Sequence, residues 1–140
     1  MQNPASAGKS STGMEANIAA AISYIWIVGL IFFIIEKESK FVRFHAMQSI
    51  LYGISLSVLM IVLMIVNVII GVIVTAGAGT AGEAAGGIAS LVVSLISLVI
   101  WLLVPLIAFL GLILAAVKAY QGQMFKLPII GKIAENIVNK

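Results

Sequence analysis

The sequence predicts an all-α fold: a multi-pass transmembrane helical bundle of three spans, with a short amphipathic interfacial helix at the C-terminal end. Three observations predict it. The 140 residues are 62% hydrophobic and 9% charged, against about 25% charged in an ordinary soluble domain, so they cannot clothe a water-facing globule. The few charges, eight Lys or Arg and five Glu with no Asp, are gathered so that long stretches carry none. Those stretches are evenly apolar, without the period-two alternation of a membrane strand, which leaves the helix as the form that satisfies its own backbone in lipid. This composition excludes a soluble enzyme, a disordered chain and, despite a net charge of +3, a nucleic-acid binder.

The elements follow in order. Residues 1–14, rich in Ser, Gly and Ala, read as a flexible tail. The membrane domain covers 15–121. Its first span is expected over about 16–36, where twenty uncharged residues separate Glu15 from Glu36, the length that a bilayer core of roughly 30 Å requires. This run is longer than a signal-peptide core and is followed by charge, so it reads as a retained span. Ala46–Gly82 and Ala84–Val117 are also uncharged. Each is too short for two spans and a turn, and each reads as one long helix, about 40–76 and 86–120, tilted or reaching into the interface. A flexible Gly- and Ala-rich loop is expected to join them.

Gly122 reads as a helix stop, and 122–140 as a cytoplasmic tail. In it, Ile130, Ile133, Ala134 and Ile137 make one apolar side of a short helix, with Lys132, Glu135, Asn136 and Asn139 opposite. Orientation comes from the bases. With three spans, Lys37, Lys40, Arg43, Lys118, Lys126, Lys132 and Lys140 share one side and Lys9 stands alone on the other. The positive-inside rule then puts the N-terminus outside and the C-terminus in the cytoplasm of a multi-pass cell-membrane protein, with anionic headgroups as partners of the basic side.

Motifs for chemistry are sparse. Gly77-Ala78-Gly79-Thr80-Ala81-Gly82 has the G-x-G-x-x-G spacing, but it follows a membrane helix rather than a strand, and Glu83 would repel a phosphate. Gly8-Lys9-Ser10 resembles the end of a phosphate loop without the first glycine. One His, no Cys and no Asp cannot assemble a usual metal site, and Ser90, Ser94 and Ser97 have no base at their depth. The reading is a non-enzyme without cofactor or metal.

The informative stretch is Glu36–Tyr52. On a helix, Phe41, His45, Gln48, Ser49, Tyr52 and Ser55 fall on one side, a polar and aromatic stripe at the cytoplasmic mouth of the second span. Asn67 continues it deeper, while Lys40 and Arg43 are set at an angle to snorkel toward headgroups. Together with Phe44 these are the candidate interaction residues. Two uses are open: hydrogen bonding between helices, or a polar path. Small residues repeating at four-residue spacing, such as Gly86, Ser90 and Ser94, mark places where helices can approach, within one chain or between copies. Pro105 predicts a kink.

Phe32 to Glu38, then Lys40-Phe41-Val42-Arg43-Phe44-His45-Ala46-Met47-Gln48-Ser49, and finally Leu127-Pro128-Ile129-Ile130-Gly131, resemble a family of small prokaryotic membrane proteins. That family is grouped with the magnetosome proteins MamF and MmsF and with the Tic20-like chloroplast import component, and the resemblance spans about residues 14–138. It implies a multi-pass membrane protein without known catalysis. Its chloroplast relatives imply protein translocation, and its magnetosome relatives imply roles in membrane compartments or crystal growth. The leading expectation is an interaction or scaffold component of a membrane assembly, with further copies or other membrane proteins as candidate partners and no nucleic acid. The alternative is a channel or translocation component with a polar path along the second span.

Overall fold

The computed structural model describes residues 8–140; residues 1–7, half of the expected tail, lie outside the described residues. Five helices follow one another: α1 (Ala16–Ile22), α2 (Trp26–Ile35), α3 (Lys40–Ala81), α4 (Glu83–Tyr120) and α5 (Ile130–Val138). They fall into two units, Leu56–Phe109 and Met1–Ser55 with Leu110–Lys140.

The unit Leu56–Phe109 is a helical hairpin. The flexible loop expected near 76–87 is not there: α3 stays helical to Ala81, α4 begins at Glu83, and Gly82 alone joins them at φ +86°. Ala and Gly carry no side chain that would hinder a helix through 76–81, and only a residue without Cβ takes the left-handed backbone at low cost. The two helices then pack closely, since a Cβ on Gly86 would overlap Ala78. Helix α4 continues through Pro105. Bulky side chains such as Ile61, Val68, Leu95 and Leu102 all face outward, as suits helices whose solvent is lipid. Among the described residues, α3 and α4 are the helices long and apolar enough to cross a membrane. At 42 and 38 residues they measure about 63 and 57 Å.

The other unit gathers the N-terminal segment, α1, α2, the start of α3, the end of α4, and α5. Here the first expected span is corrected. Residues 16–36 form two helices of 7 and 10 residues, separated by a turn at Ser23–Ile25. Ser23 Oγ donates back to the Ala19 carbonyl (2.7 Å), and the Tyr24 and Ile25 amides tighten onto the carbonyls of Ala21 and Ile22, which ends α1. The two ends of the stretch then meet: Ser11 N donates to Glu36 Oε2 at 2.9 Å and Ser11 Oγ to Glu36 Oε1 at 2.6 Å. The stretch therefore folds back on itself as two short helices where one spanning helix was expected. The tail is corrected too. From Gly8 onward it is folded, with a bridge between Lys9 and Glu15 and the Ala16 amide donating to the Gly8 carbonyl.

Gly122 does stop α4. At φ +75° it lets the Gln123 amide reach the Lys118 carbonyl (2.9 Å) and its own amide the Ala119 carbonyl (2.8 Å), satisfying two carbonyls that would otherwise be orphaned. Helix α5 forms where expected, with Gly131, Ala134 and Val138 buried, and Ala134 and Val138 pack with Phe44 and Met47. Ile133 and Ile137, on the apolar side expected to lie in the interface, are exposed. The smaller residues lie inward because the α5 backbone sits close to the chain before it, where a Cβ on Gly131 would come within 2.7 Å of Lys126.

Candidate functional site

A few polar residues of the Met1–Ser55 and Leu110–Lys140 unit are drawn into its interior. His45 and Gln48, one turn apart on α3, are both 0% exposed. The Gln48 amide uses both ends. Nε2 donates to Tyr24 Oη (2.7 Å) and to the Phe125 carbonyl (3.0 Å), and Oε1 accepts from Leu127 N (3.2 Å). Tyr24 Oη also lies 3.0 Å from His45 Nδ1. The Tyr24 hydroxyl thus links Gln48 to His45.

The ring of His45 is enclosed edge-on by Phe41 (4.7 Å between centroids), Phe44 (5.0 Å) and Tyr24 (5.8 Å). Among the described residues, His45 Nε2 and Arg43 Nε have no hydrogen-bond partner. The Arg43 guanidinium lies 5.5 Å over the Phe33 ring, a cation–π contact in place of the free snorkelling expected of it.

The rest of the stripe does not join this cluster. Ser49 Oγ donates to the Ala46 carbonyl and stands where a Cβ on Gly29 would overlap it, marking the close approach of α2 to α3. Tyr52 Oη faces Gly111 on α4, 3.3 Å from where a Cβ would be. Asn67 belongs to the hairpin unit, where Nδ2 donates to Ser97 Oγ. There the pair borders a groove lined by Leu63, Val66, Ile70, Val93, Ile96, Ile100 and Trp101.

A second polar centre was not foreseen. Glu36 follows α2 and is 1% exposed. Its carboxylate accepts from Ser11 N and Oγ, Glu38 N (3.1 Å) and Ser39 N (2.9 Å). Burial raises the Glu36 carboxyl, but these hydrogen bonds together outweigh burial and hold it below its ordinary value. The site also starts α3: Ser39 Oγ caps the Val42 amide (3.3 Å), and the carboxylate lies at the positive end of the helix. Ser11 Oγ in turn accepts from the Lys37 amide (3.1 Å).

Tyr24, Ser11, Phe125 and Leu127 were likewise missed. Tyr24 carried the one available signal, a hydroxyl beside Ser23 in a run whose other hydrogen-bonding side chains up to Ile35 are Asn17 and Trp26. Phe125 and Leu127 contribute only backbone groups, which no side-chain pattern reveals.

With the geometry in place, likeness to other proteins can be weighed. A family pattern described as the magnetosome magnetite crystal formation protein family matches residues 10–134. The chain belongs to that family. A UPF0132 membrane protein of Methanocaldococcus jannaschii is 38% identical over 130 residues, covering 91% of this chain and 93% of its own length. One from Archaeoglobus fulgidus is 35% identical over 124 residues, covering 87% and 94%. A second from M. jannaschii is 30% identical over 126 residues, covering 88% of this chain and 70% of the relative. No solved structure matches. The match of the family pattern includes Ser11, Tyr24, Glu36, His45, Gln48 and Leu127, so both polar centres lie inside the matched region. Names and apolar helices agree on a membrane protein.

Proposed function

We propose that this chain is a non-enzymatic structural component of a membrane assembly in the cell membrane, with its basic end toward the cytoplasm and anionic headgroups. The observation that carries the reading is the use of the stripe. Gln48 spends its amide on Tyr24, Phe125 and Leu127, and His45 is enclosed by three aromatic rings. These groups join parts of one chain instead of facing an opening. A conducting or translocating path needs polar groups turned toward a passage, and Asn67 is engaged with Ser97 beside an apolar groove.

Two other roles have less support. Protein translocation rests on sequence resemblance alone, most specifically that of the Phe41–Ser49 motif. Crystal formation comes with the family description, but five carboxylates, one of them buried in Glu36, offer few ligands to a mineral surface. Partners are expected to be further copies or other membrane proteins.

Flux through liposomes tests the reading. Purified protein should give no more leakage of protons, K+ or small solutes than protein-free vesicles. Sustained flux that Asn67→Leu abolishes would overturn the scaffold in favour of the channel. In-membrane crosslinking should then recover defined protein neighbours.

A further inference from the structure

The α1–α2 pair has its polar groups at one end and inside, and its apolar groups outside. Its two flanks, Ser11 and Glu36, are hydrogen-bonded together, and Lys9, Lys37 and Lys40 are exposed around them. Tyr24, at the turn between the helices, points inward to His45 and Gln48. The outward side of α2 carries Ile27, Leu30, Ile31 and Ile34, all exposed, Ile27 and Ile34 at 62% and 64%. At the end of α4, in the same unit, Leu110, Ile113, Leu114 and Val117 are exposed too. This is inverted from a water-soluble fold, which hides its Ile and shows its Glu and Gln.

From these features we infer that α1 and α2 form a re-entrant hairpin, which dips into the cytoplasmic leaflet alone and binds its acyl chains along the Ile27–Ile34 face. Depth supports one leaflet. Helix α2 has 10 residues, about 15 Å, half of a hydrocarbon core of roughly 30 Å. Its contacts with α3 run antiparallel, from Glu36 with Ser39, through Phe33 with Arg43, to Gly29 with Ser49. The turn at Ser23–Ile25 is therefore the deep end. The turn bonds largely within itself, the Ser23, Tyr24 and Ile25 amides donating to the carbonyls of Ala19, Ala21 and Ile22 and the Val28 amide to that of Ile25, which lowers the cost of placing it in lipid.

Charge supports the side. Once 16–36 does not cross, Lys9 returns to the side of the other bases, so all eight share one face, and Glu83 is the one charge beyond the spans. That is a stronger positive-inside asymmetry than three spans allow. Both termini then face the cytoplasm. The inference rests on the chain being a membrane protein and not on its scaffold role.

The chain has no Cys, so single-cysteine variants report position directly. Lys9→Cys, Thr80→Cys and Lys140→Cys are all at exposed positions. An impermeant maleimide should label Lys9→Cys and Lys140→Cys only from the cytoplasmic face and Thr80→Cys only from the outer face. Labelling of Lys9→Cys from the outer face would overturn the re-entrant path. A spin label on Ile27→Cys in phosphatidylglycerol-containing vesicles should collide with dissolved oxygen several-fold more than with a water-soluble nickel chelate. Dominant chelate contact would put the hairpin in water. Exclusion of both reagents with dipolar broadening would mean that a second copy covers it. Either outcome overturns the lipid-facing assignment.

Discussion

Gln48 serves the segment ending at Leu127 as a neighbouring strand would, accepting from the Leu127 amide at 3.2 Å and donating to the Phe125 carbonyl at 3.0 Å, across 79 and 77 positions of sequence. One side chain thus fixes the chain that leaves α4 against the start of α3. Gln48→Leu should cost roughly 3 kcal/mol, since it leaves a buried carbonyl and a buried amide unpaired at about 1–3 kcal/mol each. The measurement is unfolding in mixed micelles, paired with proteolysis, which should cut near Phe125–Pro128 first. An unchanged unfolding midpoint would mean that Gln48 does not hold these two segments together.

Glu36 makes stability depend on pH. Its folded value lies below the ordinary 4.5, so the folded state holds the ionised form more tightly than the unfolded chain does. The contribution is present above the unfolded value and is lost as pH falls through the folded one. Protection of the Ser11 and Ser39 amides from hydrogen exchange, taken relative to the intrinsic rate at each pH, should therefore fall on acidification through and below the carboxylate range. Glu36→Gln should give much of the same loosening at neutral pH, at roughly 2 kcal/mol, because a neutral amide accepts more weakly than a carboxylate.

Gly29→Ala should loosen α2 from α3. Its Cβ would overlap both Ser49 Oγ and the Ser23 carbonyl. Removing the hydroxyl as well, in Gly29→Ala with Ser49→Ala, should rescue only part of the loss, because the carbonyl belongs to the backbone and cannot swing away. Overpacking of this kind costs about 1–3 kcal/mol. Full rescue by the double variant, measured as the thermal midpoint in detergent, would show that the Ser23 carbonyl is not the obstacle.

Ile129 sits at φ +66°, ψ −58° and is 77% exposed, with the Ile130 amide closing on the Pro128 carbonyl at 2.7 Å. This is the γ-turn that β-branched residues adopt with strain. Ile129→Gly should raise the thermal midpoint in detergent by a few degrees, since relief of about 1–3 kcal/mol of strain exceeds the added freedom of a glycine in the unfolded chain. A fall in the midpoint would show that the exposed side chain is engaged.

The long helices were legible because charge marks their limits, and Gly122 because its backbone role is local. The break at Ser23–Ile25 was not. Hydropathy reports that 16–36 is apolar and says nothing about whether the chain goes through or comes back. That depends on Ser11 meeting Glu36, a pairing of 25 positions. The stripe does lie on one helix face, but its occupants came from Tyr24 and from backbone groups at 125 and 127. The protein-facing side of α5 was not legible for a related reason: periodicity finds the most apolar face, while close backbone packing turns Gly131 and Ala134 inward.

The lone glycine between α3 and α4 also fixes their register. Ala78 and Gly86 meet four residues to either side of Gly82, and Asn67 and Ser97 fifteen residues to either side. The hairpin closes like a zip, with no slack at its end. One residue inserted into either helix rotates everything beyond it by about 100°, so Asn67 would lose Ser97. Length changes between Gly82 and this pair are therefore tolerable only as whole turns added to both helices together. A chain built this way can vary freely in its apolar side chains while its spacing about Gly82 stays fixed.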